Sequence, residues 1–274
     1  MTLNIFKPIR FLIIIVTALA LSMSIYSVPT VYAVEHNTIT IVQESVEIDY
    51  GNKITISITI TSGIDSVESV RALFKPRGGS TVWSYSYPEF STSHMGISLN
   101  VEIPTGPGSY YPPGTEFDIE IEIVDAEGDV SIAKSDESIQ YLDPSKNWKN
   151  AKGNGFSIFY YGIRSSKVEN LIEQVNSRIP MLQKVSGVSK TPEFKAIVFP
   201  SVQEATPSFP PISQTATDQL FFAGFAQPQY RLFVQGQVNT STFIHELAHL
   251  YVHESVSSSR IARIPSWLSE GLAV

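Results

Sequence analysis

The sequence contains no cysteine. That excludes disulfide frameworks, thiolate zinc sites, cysteine nucleophiles and lipid attachment through a thiol. Charge is sparse as well: Asp, Glu, Lys and Arg make up 16% of the 274 residues, and their balance is acidic, at net −7. A chain of pI ≈ 5.3 lacks the basic face that phosphate binding needs, so no nucleic-acid partner is expected. Histidine is limited to five residues. Apolar residues are not scarce. At 43% of the chain they suffice for real cores and exclude wholesale disorder. At roughly 150 residues per domain, the length favours about two domains.

The N-terminus reads as an address. Lys7 and Arg10 precede the apolar run Phe11–Leu21, and Val31-Tyr32-Ala33 supplies a small-residue cleavage pattern. This order describes a secretory signal peptide over residues 1–33, leaving a mature chain of 34–274. The alternative is an uncleaved membrane anchor, because the apolar stretch approaches the spanning length. Either way the remainder is expected outside the cytoplasm, secreted or at the cell surface.

A charge step divides the rest. Residues 34–145 hold 18 acidic and 5 basic side chains; residues 146–274 hold 8 acidic and 12 basic. Such a step predicts two separately built units, joined near Asp143-Pro144-Ser145. In the first, Ile54, Ile56, Ile58 and Ile60 alternate with Thr55, Ser57 and Thr59, and Phe117, Ile119, Ile121 and Ile123 alternate with Asp118, Glu120 and Glu122. Alternation with period two is the signature of a half-buried strand. Further strands are expected at 39–43, 67–74, 82–87, 97–103 and 138–142. About seven short strands separated by Gly/Pro/Asn turns predict an immunoglobulin-like β-sandwich. Asp125, Glu127 and Asp129 read as an acidic hairpin turn rather than a calcium loop, which needs a longer ligand series. His36 and His94 are expected to be exposed.

The second unit mixes strand and helix. Strands are expected at 156–161, 195–199 and 230–234. A helix is expected over 164–185, with Ser166 and Glu169 as a capping box and Pro180 kinking it or ending it early. Residues 200–219 read as a long loop.

Residues 245–249 are His-Glu-Leu-Ala-His. Asn239 and Thr240 supply caps for a helix from about Ser241 to Glu254. Four residues advance about one helical turn, so His245 and His249 share a face and can reach one zinc ion. Glu246 sits one step round, where it suits a base acting on zinc-activated water. Phe243, Leu247 and Leu250 can pack the helix onto its neighbours. Catalytic zinc needs a third protein ligand. The candidate is Glu270, on a second helix opened by Pro265 after a break at Ser257-Ser258-Ser259.

His245-Glu246-x-x-His249 followed by Trp267-Leu268-Ser269-Glu270-Gly271 resembles the gluzincin metallopeptidases, in particular the bacterial peptidase MA-like family. Tyr111-Pro112-Pro113-Gly114-Thr115 and its surroundings look like the immunoglobulin-like domain that often leads such secreted peptidases. The resemblance implies a multidomain chain: an all-β immunoglobulin-like sandwich over 34–145, then an α+β metallopeptidase domain over 146–274. It implies one zinc ion held by His245, His249 and Glu270, with Glu246 catalytic and a peptide or protein as substrate. It also implies an edge strand within 220–234 that pairs with the substrate backbone, giving Gly224, Phe225 and Ala226 as candidate substrate-binding residues. His253 competes for the third position, but one straight helix cannot bend three such histidines onto one ion. Members of the family continue past Glu270 into a helical subdomain that supplies an acidic partner for a zinc histidine. The expectation is therefore that 146–274 is an incomplete domain lacking that partner, Val274 being unable to replace it. The alternative is an extracellular binding or adhesion protein whose immunoglobulin-like half does the work and whose peptidase half is non-functional.

Overall fold

The fold is described from a computed structural model, over residues 40–61, 66–78, 82–94, 96–189, 193–210, 224–256 and 265–273. The signal peptide with its cut after Ala33, His36, residues 211–223, the break at 257–259 and Val274 lie outside the described residues.

Alternating hydrophobicity builds the first half. Its strands are β1 (Thr40–Asp49), β2 (Lys53–Thr61), β3 (Val67–Pro76), β4 (Ser84–Ser86), β5 (Phe90–Ser93), β6 (Gly96–Pro104), β7 (Glu116–Asp125), β8 (Val130–Lys134) and β9 (Ile139–Gln140). One antiparallel sheet runs β1-β2-β6-β5. A second runs β4-β3-β7-β8, with β9 also paired to β7. The four alternating isoleucines of β2 and Phe117, Ile119, Ile121 and Ile123 of β7 are all at most 2% exposed and share one core with β3 and β6. The two sheets thus face each other across a common apolar layer. The turn after β7 is closed by the Asp125 carboxylate, whose Oδ1 accepts from the N–H groups of Glu127 (3.0 Å) and Asp129 (2.8 Å). This is an Asx-type turn.

The second half is a mixed sheet covered by helices. Its elements are β10 (Lys149–Lys152), β11 (Phe156–Tyr160), α1 (Ser165–Asn176), α2 (Ile179–Ser186), β12 (Phe194–Val198), α3 (Val202–Ala205), β13 (Gly224–Gln227), β14 (Leu232–Gln235), α4 (Thr240–Val256) and α5 (Ser266–Ala273). Strand order is β10-β11-β12-β14-β13, with β11-β12 and β12-β14 parallel and both outer pairs antiparallel. Buried aromatic contacts fix α4 to this sheet. The Phe243 ring meets those of Phe233 at 4.8 Å and Phe156 at 5.4 Å, and Tyr251 meets Phe194 at 5.3 Å. Phe243, Leu247 and Leu250 are all buried.

Several local expectations need correction. The helix expected over 164–185 is two helices, broken at Ser177–Arg178. Pro180 lies in the first turn of α2, where its missing N–H costs nothing. The Ser166/Glu169 capping box does not form: Arg164 is at the N-cap and makes no side-chain cap. Thr240 does not cap α4 either, since it is already helical and its hydroxyl reaches Gln174 Oε1 at 3.0 Å. Asn239 does cap, its Oδ1 accepting from Thr242 N–H at 2.9 Å. The expected loop at 200–219 opens with α3 and a 3₁₀ turn, Thr206–Ser208. Strands β5, β8 and β10 were not expected.

Residues 37–274 form one compact unit, and side chains from both halves meet within it. Lys195 on β12 pairs with Glu116 on β7 at 2.7 Å. The Tyr50 hydroxyl lies 3.1 Å from Ser208 Oγ, and the Tyr110 hydroxyl donates to Ser208 O at 2.8 Å. Gly114 has φ +86°, and a Cβ there would fall 2.4 Å from Ile197 Cδ1. Among the described residues, no helix is long and apolar enough to cross a membrane.

Candidate metal centre

Packing of α4 by Phe243, Leu247 and Tyr251 decides which face of that helix is left over. His245 and His249, four residues apart, fall on the remaining face with their rings 4.7 Å apart. Helix α5 lies alongside and carries Glu270. The Nε2 atoms of the two histidines are 3.1 Å apart. The Glu270 carboxylate oxygens lie 3.4 Å from His245 Nε2 and 3.6 Å from His249 Nε2. Among the described residues this is the group of His, Asp and Glu side chains that could hold a metal ion. His253 is exposed and stands outside it.

The chemistry of the donors fits zinc. In a tetrahedral site with bonds of about 2.1 Å, ligand atoms stand about 3.4 Å apart, close to the three separations here. The far side of each ring is also occupied. His245 Nδ1 faces the Ala273 carbonyl at 3.2 Å, and His249 Nδ1 faces Ser269 Oγ at 2.8 Å. A carbonyl only accepts, so His245 Nδ1–H donates to Ala273 O, the tautomer in which Nε2 is the ring nitrogen that would ligate. Burial lowers the His249 pKa, opposed by the Glu270 charge, and so favours a neutral, ligating imidazole.

Glu246 is 7% exposed. Burial pushes its carboxyl up to about 7, the Ala226 backbone N–H that bonds it pulls the other way, and the Glu270 charge adds to the rise. Gly224 makes this placement possible. A Cβ at residue 224 would sit 2.8 Å from Glu246 Cγ and 2.9 Å from its Oε1. Gly224, Phe225 and Ala226 form most of β13, an edge strand whose outer side has no strand partner among the described residues. The carboxylate of Glu246 thus lies against this edge.

Sequence reasoning missed Ser269 and the Ala273 carbonyl. The resemblance pointed to an acidic partner for one zinc histidine. The fold supplies a hydroxyl and a backbone oxygen from α5 instead.

No family model matches the chain, and no curated protein matches it. Solved structures do. One is an aminopeptidase N family protein from Idiomarina loihiensis, with 8% identity and a TM-score of 0.33 over 79% of this chain and 47% of that one. Another is an M1 zinc metallopeptidase from Deinococcus radiodurans, with 9% identity and a TM-score of 0.22 over 77% of this chain and 62% of that one. A third is a β-glucuronidase from Bacteroides uniformis, with 10% identity and a TM-score of 0.22 over 57% of this chain and 22% of that one. This chain therefore spans less than two thirds of each. Likenesses this distant carry no argument about activity, which rests on the geometry above.

Proposed function

We propose that the chain is a zinc-dependent peptide hydrolase of gluzincin type, acting outside the cytoplasm. One observation carries the reading. Two imidazole nitrogens from α4 and a carboxylate from α5 converge at 3.1–3.6 Å, with the far side of each ring held by α5. His245, His249 and Glu270 would hold one zinc ion. When bound, such an ion supplies Lewis acidity toward water and toward a carbonyl oxygen.

The chain's own residues do the rest. Glu246, beside the ligands but not among them, takes a proton from the attacking water and returns it to the leaving amine. The outer side of β13, beyond the Ala226 N–H that bonds Glu246, binds substrate by backbone pairing, which orders an extended peptide without demanding a particular side chain. Gly224 leaves room there for the Glu246 carboxylate. The first half reads as an immunoglobulin-like domain. Its strand orders, β1-β2-β6-β5 and β4-β3-β7-β8, support that reading because they follow the A-B-E-D and C′-C-F-G arrangement of such sandwiches.

The test is Glu246→Gln. Zinc content should be unchanged and peptide hydrolysis should fall about 10²–10⁴-fold, the usual worth of a positioned base. Equal hydrolysis by both proteins would remove Glu246 from its role. A zinc-free wild-type protein that stays inert after zinc is added would return the chain to the binding-protein alternative.

A further inference from the structure

The turn between β13 and β14 is held more firmly than a connection needs. It is a 3₁₀ turn, Pro228–Tyr230, followed by Arg231 at φ +54°. Among the described residues, Arg231 is the one non-glycine residue with positive φ. A left-handed backbone costs a side-chain-bearing residue about 1–2 kcal/mol, so glycine would be the cheaper occupant.

Three bodies grip this turn. From β12, Lys195 N–H donates to Arg231 O at 3.0 Å. From α4, Glu254 Oε1 lies 3.4 Å from the Arg231 guanidinium; Glu254 is eight residues, about two turns, beyond Glu246. From the first half, Gly78 comes so close that a Cβ there would stand 2.7 Å from Gln229 O and 2.9 Å from the Tyr230 backbone. The Tyr111 ring also meets the Tyr230 ring edge-on at 6.2 Å. Within the turn, Gln229 Nε2 donates to Oε1 of Gln227, the last residue of β13, at 2.7 Å. The far end of the same strand lies against Glu246.

We propose that Arg231 is a positioning residue: by tying the β13–β14 turn to Glu254 on the metal-bearing helix, it sets the height of the β13 edge over the His245–His249–Glu270 cluster. The turn of the first half at Gly78 is the backstop against which that edge is set. This rests on the reading of β13 as the strand that holds the substrate backbone. The first half is then part of the substrate cleft's frame rather than an appended module.

The test uses the full chain with an unstructured peptide substrate and compares Arg231→Gly, Arg231→Lys, Glu254→Gln and the double variant Arg231→Gly/Glu254→Gln. KM, kcat, zinc content and melting temperature are read for each. Arg231→Gly should raise KM about 5–10-fold and leave kcat within about twofold, the pattern of lost substrate holding. Its zinc content should not change, and its melting temperature should not fall, because glycine accepts the left-handed conformation. Arg231→Lys should restore most of the KM, Glu254→Gln should resemble Arg231→Gly, and the double variant should be no worse than either single one. An unchanged KM in both single variants overturns the proposal. So does a parallel loss of zinc and melting temperature, which would mark a merely structural pair. A wild-type protein that binds zinc and melts cooperatively but hydrolyses no peptide defeats the hydrolase reading itself, and this inference with it.

Discussion

Ser269 shows how much of a metal site lies behind its ligands. Its hydroxyl, 2.8 Å from His249 Nδ1, stands where a carboxylate or carbonyl commonly orients a ligating imidazole. Ser269→Ala should weaken zinc binding about 10-fold or more, measured by chelator competition, with the fold intact because Ser269 is only half-buried. Gly224 is the steric counterpart. Gly224→Ala should cut hydrolysis while leaving zinc bound, because its new methyl would press on the Glu246 side chain and not on the histidines. Comparing activity with metal content in that variant separates the two. The His-Glu-x-x-His spacing was legible from the sequence because a helix has a fixed period. Ser269 and Ala273 were not, since what a side chain meets across an interface is not encoded by spacing along one helix.

Helix α4 depends on two things the sequence carries openly: a start signal and an apolar stripe. Asn239 caps it, and Asn239→Ala should cost about 1 kcal/mol. Phe243 is fully buried between the rings of Phe156 and Phe233, and Phe243→Ala should cost about 3–5 kcal/mol. Urea denaturation of both variants would check that order. Elements with weak signals were lost instead. Strand β10, Lys-Asn-Ala-Lys, has neither alternation nor β-branched residues, and only its antiparallel pairing with β11 makes it a strand. The break between α1 and α2 is similar. The apolar stripe continues through Ser177–Arg178, so periodicity alone reads as one helix, and Pro180 marks the second start rather than a kink.

At the scale of the whole molecule, the contacts between halves gather tyrosines. Burial raises the pKa values of Tyr50, Tyr110 and Tyr161, and Tyr50 reaches about 12 from an ordinary 10.0. In the folded chain Tyr50 holds its proton through a range of pH in which the unfolded chain releases it. Stability is therefore complete below about pH 10 and falls as pH rises toward about 12, by on the order of 2 kcal/mol for this residue. Urea midpoints measured across that window should decline, and Tyr50→Phe should flatten the decline.

Local patterns along the chain specify the strands with strong alternation, the α4 helix and its paired histidines. These follow from local period and local caps, which neighbouring residues specify between themselves. Packing of the folded chain sets what those patterns leave open: that a hydroxyl and a carbonyl hold the histidine rings, and that Arg231 accepts a strained backbone. Each of these depends on where two distant segments of chain are brought by the packing of a shared core, and no local pattern records that distance.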